Sequence, residues 1–199
     1  MTLDPGLIHR LLAIADLSAE FSDLLEREGY RLAVPAGVVR PLVPGARLIG
    51  PCLTLRYLPV RMETGALRAS DPDGKLGNKR LLREATPGAV MVVQSPAVDV
   101  SVLGSEAAAD LHAAGIAGAI VDGAVRDVEG LATIPFPAWS TSITPITGRW
   151  RLEAVELGGP VAIAGVQVQA GDICVADGGG VAFVPADRFD DLAERLLRR

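Results

Sequence analysis

Apolar residues recur at helical spacing at Leu7, Ile8, Leu11, Leu12 and Ala15, and again at Phe21, Leu24 and Leu25. This pattern predicts two helices within about residues 5–30, over Leu7–Ala15 and Ser18–Glu28, the second stopped by Gly29. Val34–Pro44 is broken by proline and glycine, as an irregular or edge segment would be. Arg47–Tyr57 reads as a strand. Met62–Gly77 is the most polar section, and its DPDGKLGN has turn chemistry and little else, which makes it a candidate mobile or substrate-covering loop. Asn78–Ala85 reads as a helix ahead of a turn at Pro87–Gly88. Ala89–Gln94 is a buried strand and Val98–Leu103 a second, short one. A helix follows the turn at Gly104, with the Ser105 hydroxyl expected to cap its first N–H groups. Glu106 stands near the positive end of its dipole, and Gly115 supplies a left-handed stop. Ala117–Val121 is apolar throughout, the mark of a strand buried on both faces. Val128–Ala132 starts a further helix, Ile134–Trp139 leads into a strand, and Thr141–Arg151 reads as loop. Short β runs at Leu152–Glu156, Val161–Ile163, Val166–Val168, Ile173–Ala176 and Val181–Val184 alternate with glycine-rich turns. An amphipathic helix closes the chain over about 187–198, with Phe189, Leu192, Leu196 and Leu197 on one face. The sum is a mixed α/β fold, helices against a sheet, in one domain over residues 1–199.

Composition narrows the possibilities. The 199 residues are 49% hydrophobic and 22% charged, a globular chain and not a disordered one. Only 4% are aromatic, so the core must be built from Val, Leu, Ile and Ala. The net charge of −5 without a basic stripe argues against nucleic-acid binding, because phosphate neutralisation needs clustered Lys and Arg. No apolar run approaches the ~18 residues of a membrane span, and the expected setting is soluble and cytoplasmic. Cys52 and Cys174 each lie in an apolar run and read as buried thiols.

The chemistry gathers after the Ala117–Val121 strand, where Asp122, Arg126 and Asp127 reach the rim of the core. Arg offers a planar fork for a carboxylate, and Asp offers oxygen for a hard cation such as Mg²⁺. The plainer reading is an Arg126–Asp127 surface pair capping the next helix. The turn at Gly104 and the Asp122–Asp127 loop are expected to face one cavity, because ligands gather at strand carboxyl ends beside helix N-termini. Other motifs carry less. The glycines at Gly115 and Gly118 precede their strand and do not form a dinucleotide fingerprint. Gly178–Gly180 reads as a hairpin turn. His9 and His112 have no partner at metal-ligand spacing. Trp139 and Trp150 read as packing residues near a loop or an interface.

The stretch Asp122-Gly123-Ala124-Val125-Arg126-Asp127, with Gly115-Ile116-Ala117-Gly118 before it, resembles the RraA-like family. So do Ser22–Leu25, Pro44–Pro51 and the closing Gly171-Asp172, Ala176-Asp177, Gly180-Val181 pattern. That family includes class II 4-hydroxy-4-methyl-2-oxoglutarate aldolases and regulators of ribonuclease E activity. The resemblance implies an α/β/α sandwich of the swivelling β/β/α type, a mixed sheet flanked by helices, assembled as homotrimers or hexamers with sites between subunits. It implies a lyase that needs Mg²⁺ or Mn²⁺ and cleaves or decarboxylates a pyruvate-containing 2-oxo acid, as in aldol cleavage or oxaloacetate decarboxylation, through a metal-stabilised enolate. Carried over, Asp127 binds the metal, Arg126 holds the substrate, and the backbone around Gly104, Ser105, Glu106 and Ala107 receives its carboxylate. One position departs from the pattern: Ser105 stands where the aldolases carry an acid that supports the metal through water. A non-catalytic regulator that binds protein is therefore the second reading.

Overall fold

Odd- and even-numbered residues of the central strands go to different places, as the two-residue period of a strand requires. The computed structural model describes residues 3–70, 83–84 and 86–198. Its strands are β1 (Ala33–Pro35), β2 (Arg40–Pro41), β3 (Leu48–Pro59), β4 (Val90–Gln94), β5 (Ser101–Leu103), β6 (Gly118–Val125), β7 (Ala138–Ile143), β8 (Leu152–Leu157), β9 (Val161–Ile163), β10 (Val166–Val168), β11 (Ile173–Asp177) and β12 (Gly180–Val184). Its helices are α1 (Pro5–Leu12), α2 (Leu17–Arg27), α3 (Thr64–Ser70), α4 (Ser105–Ala113), α5 (Val128–Leu131) and α6 (Phe189–Leu197).

One mixed sheet runs β1-β12-β11-β3-β4-β6-β7-β2, with β5 added on β6 and β8 on β3. Strands β3, β4, β6 and β7 are parallel neighbours, whereas β11, β12 and the short β1 and β2 pair antiparallel. Proline-broken Val34–Pro44 thus supplies β1 and β2 at the two ends of the sheet path, the edge role its composition predicts. On the outer face Met91, Val93, Ala119 and Val121 pack beneath α4 and α5, and Ile49, Ile173, Val175 and Val184 beneath α1, α2 and α6. On the inner face Cys52, Val90, Val92, Ile120, Cys174 and Phe183 meet Trp139 and the β9–β10 hairpin. Each large apolar side chain so buried contributes roughly 1.5–3 kcal/mol.

Two details set up the site, and a third ties α2 to the sheet. First, β6 does not stop at Val121 but continues through Asp122 and Gly123 to Val125. Gly123 has φ +152 and a Cβ there would meet Ser95 Cβ at 2.8 Å. The β6–β7 register slips between Val121 and Ala124, so the glycine marks a bulge that re-aims the end of the strand. Second, β5 pairs in parallel with the far end of β6, and α4 connects them. The Arg126 N–H donates to Leu103 O at 2.9 Å, which fixes the end of β6 beside the start of α4. Third, the Gly178–Gly179 turn joins β11 to β12 as expected, and Asp177 at its base is buried. Its carboxylate accepts from Ser18 N–H at 2.9 Å, Ser18 Oγ–H at 2.6 Å and Gly179 N–H at 2.9 Å. The cap residue of α2, Asp16, makes no side-chain cap bond, so Asp177 satisfies the helix start from another element.

Where a polar loop is expected over Met62–Gly77, Thr64–Ser70 forms α3. Residues 71–77, and most of the helix expected at Asn78–Ala85, lie outside the described residues. No helix among the described residues is long and apolar enough to cross a membrane.

Candidate functional site

The N-terminus of α4 leaves backbone N–H groups without intrahelical acceptors. Ser105 is not its cap. The N-cap is Gly104, extended at φ −135° and ψ 178°, with no side-chain cap bond, and Ser105 is the first helical residue. A serine already inside the helix has the wrong backbone angles to turn its hydroxyl onto the first-turn N–H groups. Its side chain instead lies against α5, where a Cβ on Gly130 would come within 2.9 Å of Ser105 Cβ.

The group that reaches the α4 terminus comes from the end of β6. Asp127 Oδ2 lies 3.4 Å from the Ser105 N–H nitrogen and 3.3 Å from Arg126 Nε. The Arg126–Asp127 pair of the plainer reading is therefore present, but Asp127 forms no side-chain cap bond to α5. It turns toward α4 instead. Its backbone is left-handed, at φ +59°, a conformation Asp tolerates better than most residues. Gly104 is the counterpart of this approach: a Cβ there would stand 2.6 Å from Asp127 Oδ2 and 3.0 Å from Arg126 Nε.

A cleft of about 240 Å³ opens beside these groups, over Gly104, Glu106, Ala107 and Arg126. It is smaller than the ~300–1,000 Å³ of drug-sized sites, a space for a small acid. Glu106, and not Ser105, is among the residues that line it; an acidic residue is present one position after the one the resemblance leads one to expect. Asp122 does not join the cluster. It is part of β6, and its Oδ2 accepts from the Ala164 N–H at 2.7 Å in the β9–β10 turn, so it braces the hairpin. The strand period sends a residue at 122 to the opposite side from the rim, which the expected end of the strand at Val121 concealed.

The opposite wall comes from the connection between β7 and β8, through Thr147, Arg149 and Trp150. Sequence reading missed Arg149 and gave Trp150 a packing role, because Thr141–Arg151 carries no periodicity to place it. The Arg149 and Arg68 guanidinium carbons lie 5.4 and 4.5 Å from the centroid of the Trp150 ring. Trp139 is the packing residue: it is fully buried, and its indole N–H donates to Asp177 O at 3.0 Å.

The chemistry of the donor set favours a hard cation held sparingly. Asp127 Oδ2 faces the Ser105 and Arg126 donors, and no partner among the described residues engages Oδ1. One carboxylate oxygen suits Mg²⁺, which binds through one or two carboxylates and keeps several waters. Among the described residues no three His, Cys, Asp or Glu side chains gather as a metal cage. The cysteines offer nothing here: Cys52 and Cys174 are buried and unpaired by disulfide, and burial pushes both thiols up.

Comparison with known proteins gives this arrangement its context. The chain is 28% identical over 194 residues to Protein DlpA of Legionella pneumophila, covering 97% of this chain and 30% of that protein. It is 24% identical over 162 residues to a Halalkalibacterium halodurans protein named "Putative 4-hydroxy-4-methyl-2-oxoglutarate aldolase", covering 81% of this chain and 70% of the relative. The chain thus spans less than a third of the Legionella protein's length. Streptomyces coelicolor RraAS2, described as an unusual member of the RNase ES inhibitor RraA protein family, superposes with a TM-score of 0.83 at 27% identity, covering 100% of this chain and 94% of that one. Residues 18–183 match the RraA-like family described as Aldolase/RraA, and it is to this family that the chain belongs.

Proposed function

We propose that the protein is a divalent-metal-dependent carbon–carbon lyase that cleaves or decarboxylates a pyruvate-containing 2-oxo acid. The family includes both aldolases of this kind and non-catalytic regulators of ribonuclease E. What favours the lyase is one observation: Asp127, in a left-handed conformation, turns toward the α4 N-terminus and not onto its own helix.

In this reading the N–H groups of Ser105, Glu106 and Ala107 receive the substrate carboxylate, an anion at a helix N-terminus. Arg126 fixes the 2-oxo oxygen and, with its fork, the plane of the reacting unit. Asp127 would hold Mg²⁺ or Mn²⁺ through the carboxylate oxygen that no described residue engages. When bound, the cation supplies Lewis acidity to the 2-oxo acid, the stabilisation that an enolate-forming cleavage needs. Glu106 brings to the cleft the negative charge that Ser105 lacks. The reading includes a homotrimer or hexamer, whose mass light scattering measures directly.

Pyruvate release from oxaloacetate and from 4-hydroxy-4-methyl-2-oxoglutarate, with Mg²⁺ or Mn²⁺ and then with EDTA, tests the assignment. Turnover is expected with metal and is lost with chelator. Asp127→Ala is expected to abolish the metal-dependent rate. Arg126→Ala is expected to lower kcat/KM by roughly 10²–10³, the effect of removing one donor to developing charge. Background rates on both substrates with metal present contradict the lyase. Inhibition of a ribonuclease by the same preparation supports the regulator reading, which the missing acid at Ser105 favours.

A further inference from the structure

Trp150 sits in a turn that suits a smaller residue. The Arg151 and Leu152 N–H groups both donate to Gly148 O at 2.8 Å, which closes a turn over Gly148–Arg151. Its third residue, Trp150, has φ +62°. Turns with positive φ at that position ordinarily carry glycine or asparagine there, because a Cβ crowds the backbone. A bulky residue persists in such a conformation only when its surroundings over-determine it.

The backbone before the turn is tied to β5. The Ser101 N–H donates to Ile146 O, and the Gly148 N–H donates to Ser101 O, each at 2.9 Å. These bonds fix where the connection leaves the sheet, but they do not seat the ring. Trp150 is half-buried, and two guanidinium groups lie over its ring, the Arg68 carbon 4.5 Å and the Arg149 carbon 5.4 Å from the centroid. Arg149 belongs to the turn and moves with it. Arg68 comes from α3, a separate element, and can hold the ring in place. That helix is anchored in turn, because Leu67 is buried and its N–H donates to Glu63 O at 3.1 Å. Arg149 and Trp150 line the cleft opposite the α4 terminus, whereas Arg68 is not among the lining residues. Arg68 therefore acts on the cleft only through the ring.

We propose that Arg68 is a positioning residue: its guanidinium over the Trp150 ring latches the strained turn, and with it the cleft wall, to α3. Without that contact the turn relaxes toward negative φ at residue 150 and the wall moves. A ligand then meets a competent cleft in a smaller fraction of molecules, and its apparent affinity falls by that fraction. The effect on substrate rests on the 2-oxo acid reading; the latch itself does not. Arginine suits the role because its planar, weakly hydrated guanidinium stacks on an indole, whereas an ammonium is a strongly hydrated point charge.

Acrylamide quenching of tryptophan fluorescence on the full chain tests the latch without any ligand. Trp139 is fully buried, so the quenchable signal comes from Trp150. Arg68→Gln is expected to raise the quenching constant and shift the emission to the red, and Arg68→Lys to restore part of both. Titration with pyruvate in the presence of Mn²⁺ then reads the cleft. Arg68→Gln is expected to raise the pyruvate Kd roughly two- to fivefold, the scale of one exposed cation–π contact. In a Trp150→Leu background the same substitution is expected to add nothing, as it must if Arg68 acts through the ring. Unchanged quenching in Arg68→Gln, a lysine no better than glutamine, or an undiminished effect of Arg68→Gln in the Trp150→Leu background overturns the latch. Failure of the wild-type protein to bind pyruvate with Mn²⁺ overturns the 2-oxo acid reading and leaves the quenching result to decide the latch.

Discussion

A β-carbon on Gly104 would stand 2.6 Å from Asp127 Oδ2, closer than any real methyl sits to an oxygen. This residue therefore decides whether the acid can reach the helix start, and its φ of −135° shows that conformation is not the reason for a glycine there. Gly104→Ala is expected to displace Asp127 and Arg126 by several tenths of an ångström or more. The metal-dependent rate should fall by about 10²-fold, the scale of a misplaced catalytic group. Thermal stability should change little, because the displaced groups lie at a half-exposed rim. A rate within twofold of wild type would mean that the Asp127 position does not matter to turnover. The same residue shows what sequence reading could reach. The Gly104 turn and the Arg126–Asp127 corner are visible as a break in an apolar pattern. That Glu106 and not Ser105 faces the cleft is not visible, because one position on a helix is a rotation of 100°, and its phase is set by the packing of Ser105 against Gly130.

Between elements, the decisive contact is Asp177 at the base of the β11–β12 hairpin, which closes the open start of α2. Burial opposes its ionisation. The Ser18 hydroxyl, the Ser18 and Gly179 N–H groups and the charge of Arg47 outweigh that, and hold its carboxyl below the ordinary range. A carboxyl whose folded pKa is lowered adds stability that is fully present above its unfolded pKa of about 3.9 and is lost as pH falls through the folded value. Asp177→Ala leaves the two buried Ser18 donors without an acceptor and is expected to cost roughly 2–3 kcal/mol at neutral pH. The loss should shrink below about pH 4, where the wild-type protein forfeits the same interaction. Urea denaturation at pH 7 and at pH 3 measures both. A loss of the same size at the two pH values would show that the charge of Asp177 plays no part. The hairpin itself is readable from Gly178–Gly180, but its partnership with a helix 159 residues earlier is not, because nothing local in Ser18 announces a distant acceptor. The extension of β6 past Val121 escaped for a related reason. Asp122 looks like the end of an apolar run until the β9–β10 turn supplies the N–H it accepts.

At the scale of the whole molecule, apolar periodicity carries most of the fold. The stripes of α1, α2 and α6 fill one outer cluster, and the alternation of β3, β4, β11 and β12 divides inner from outer faces. The cleft is less legible because it is assembled from three distant places: the α4 start, the end of β6 and the β7–β8 connection with Trp150. Sequence order joins the first two by a recognisable motif and leaves the third out. The central claim is that a cation and a 2-oxo acid meet where these segments converge. A crystal structure of the protein with Mn²⁺ and pyruvate, with the metal located by its anomalous scattering, tests this most directly. The account predicts a manganese peak on the Asp127 carboxylate, with pyruvate between it and the N–H groups of Ser105–Ala107 and its oxo oxygen toward Arg126. Manganese and pyruvate bound elsewhere, with this cleft left empty, would contradict it.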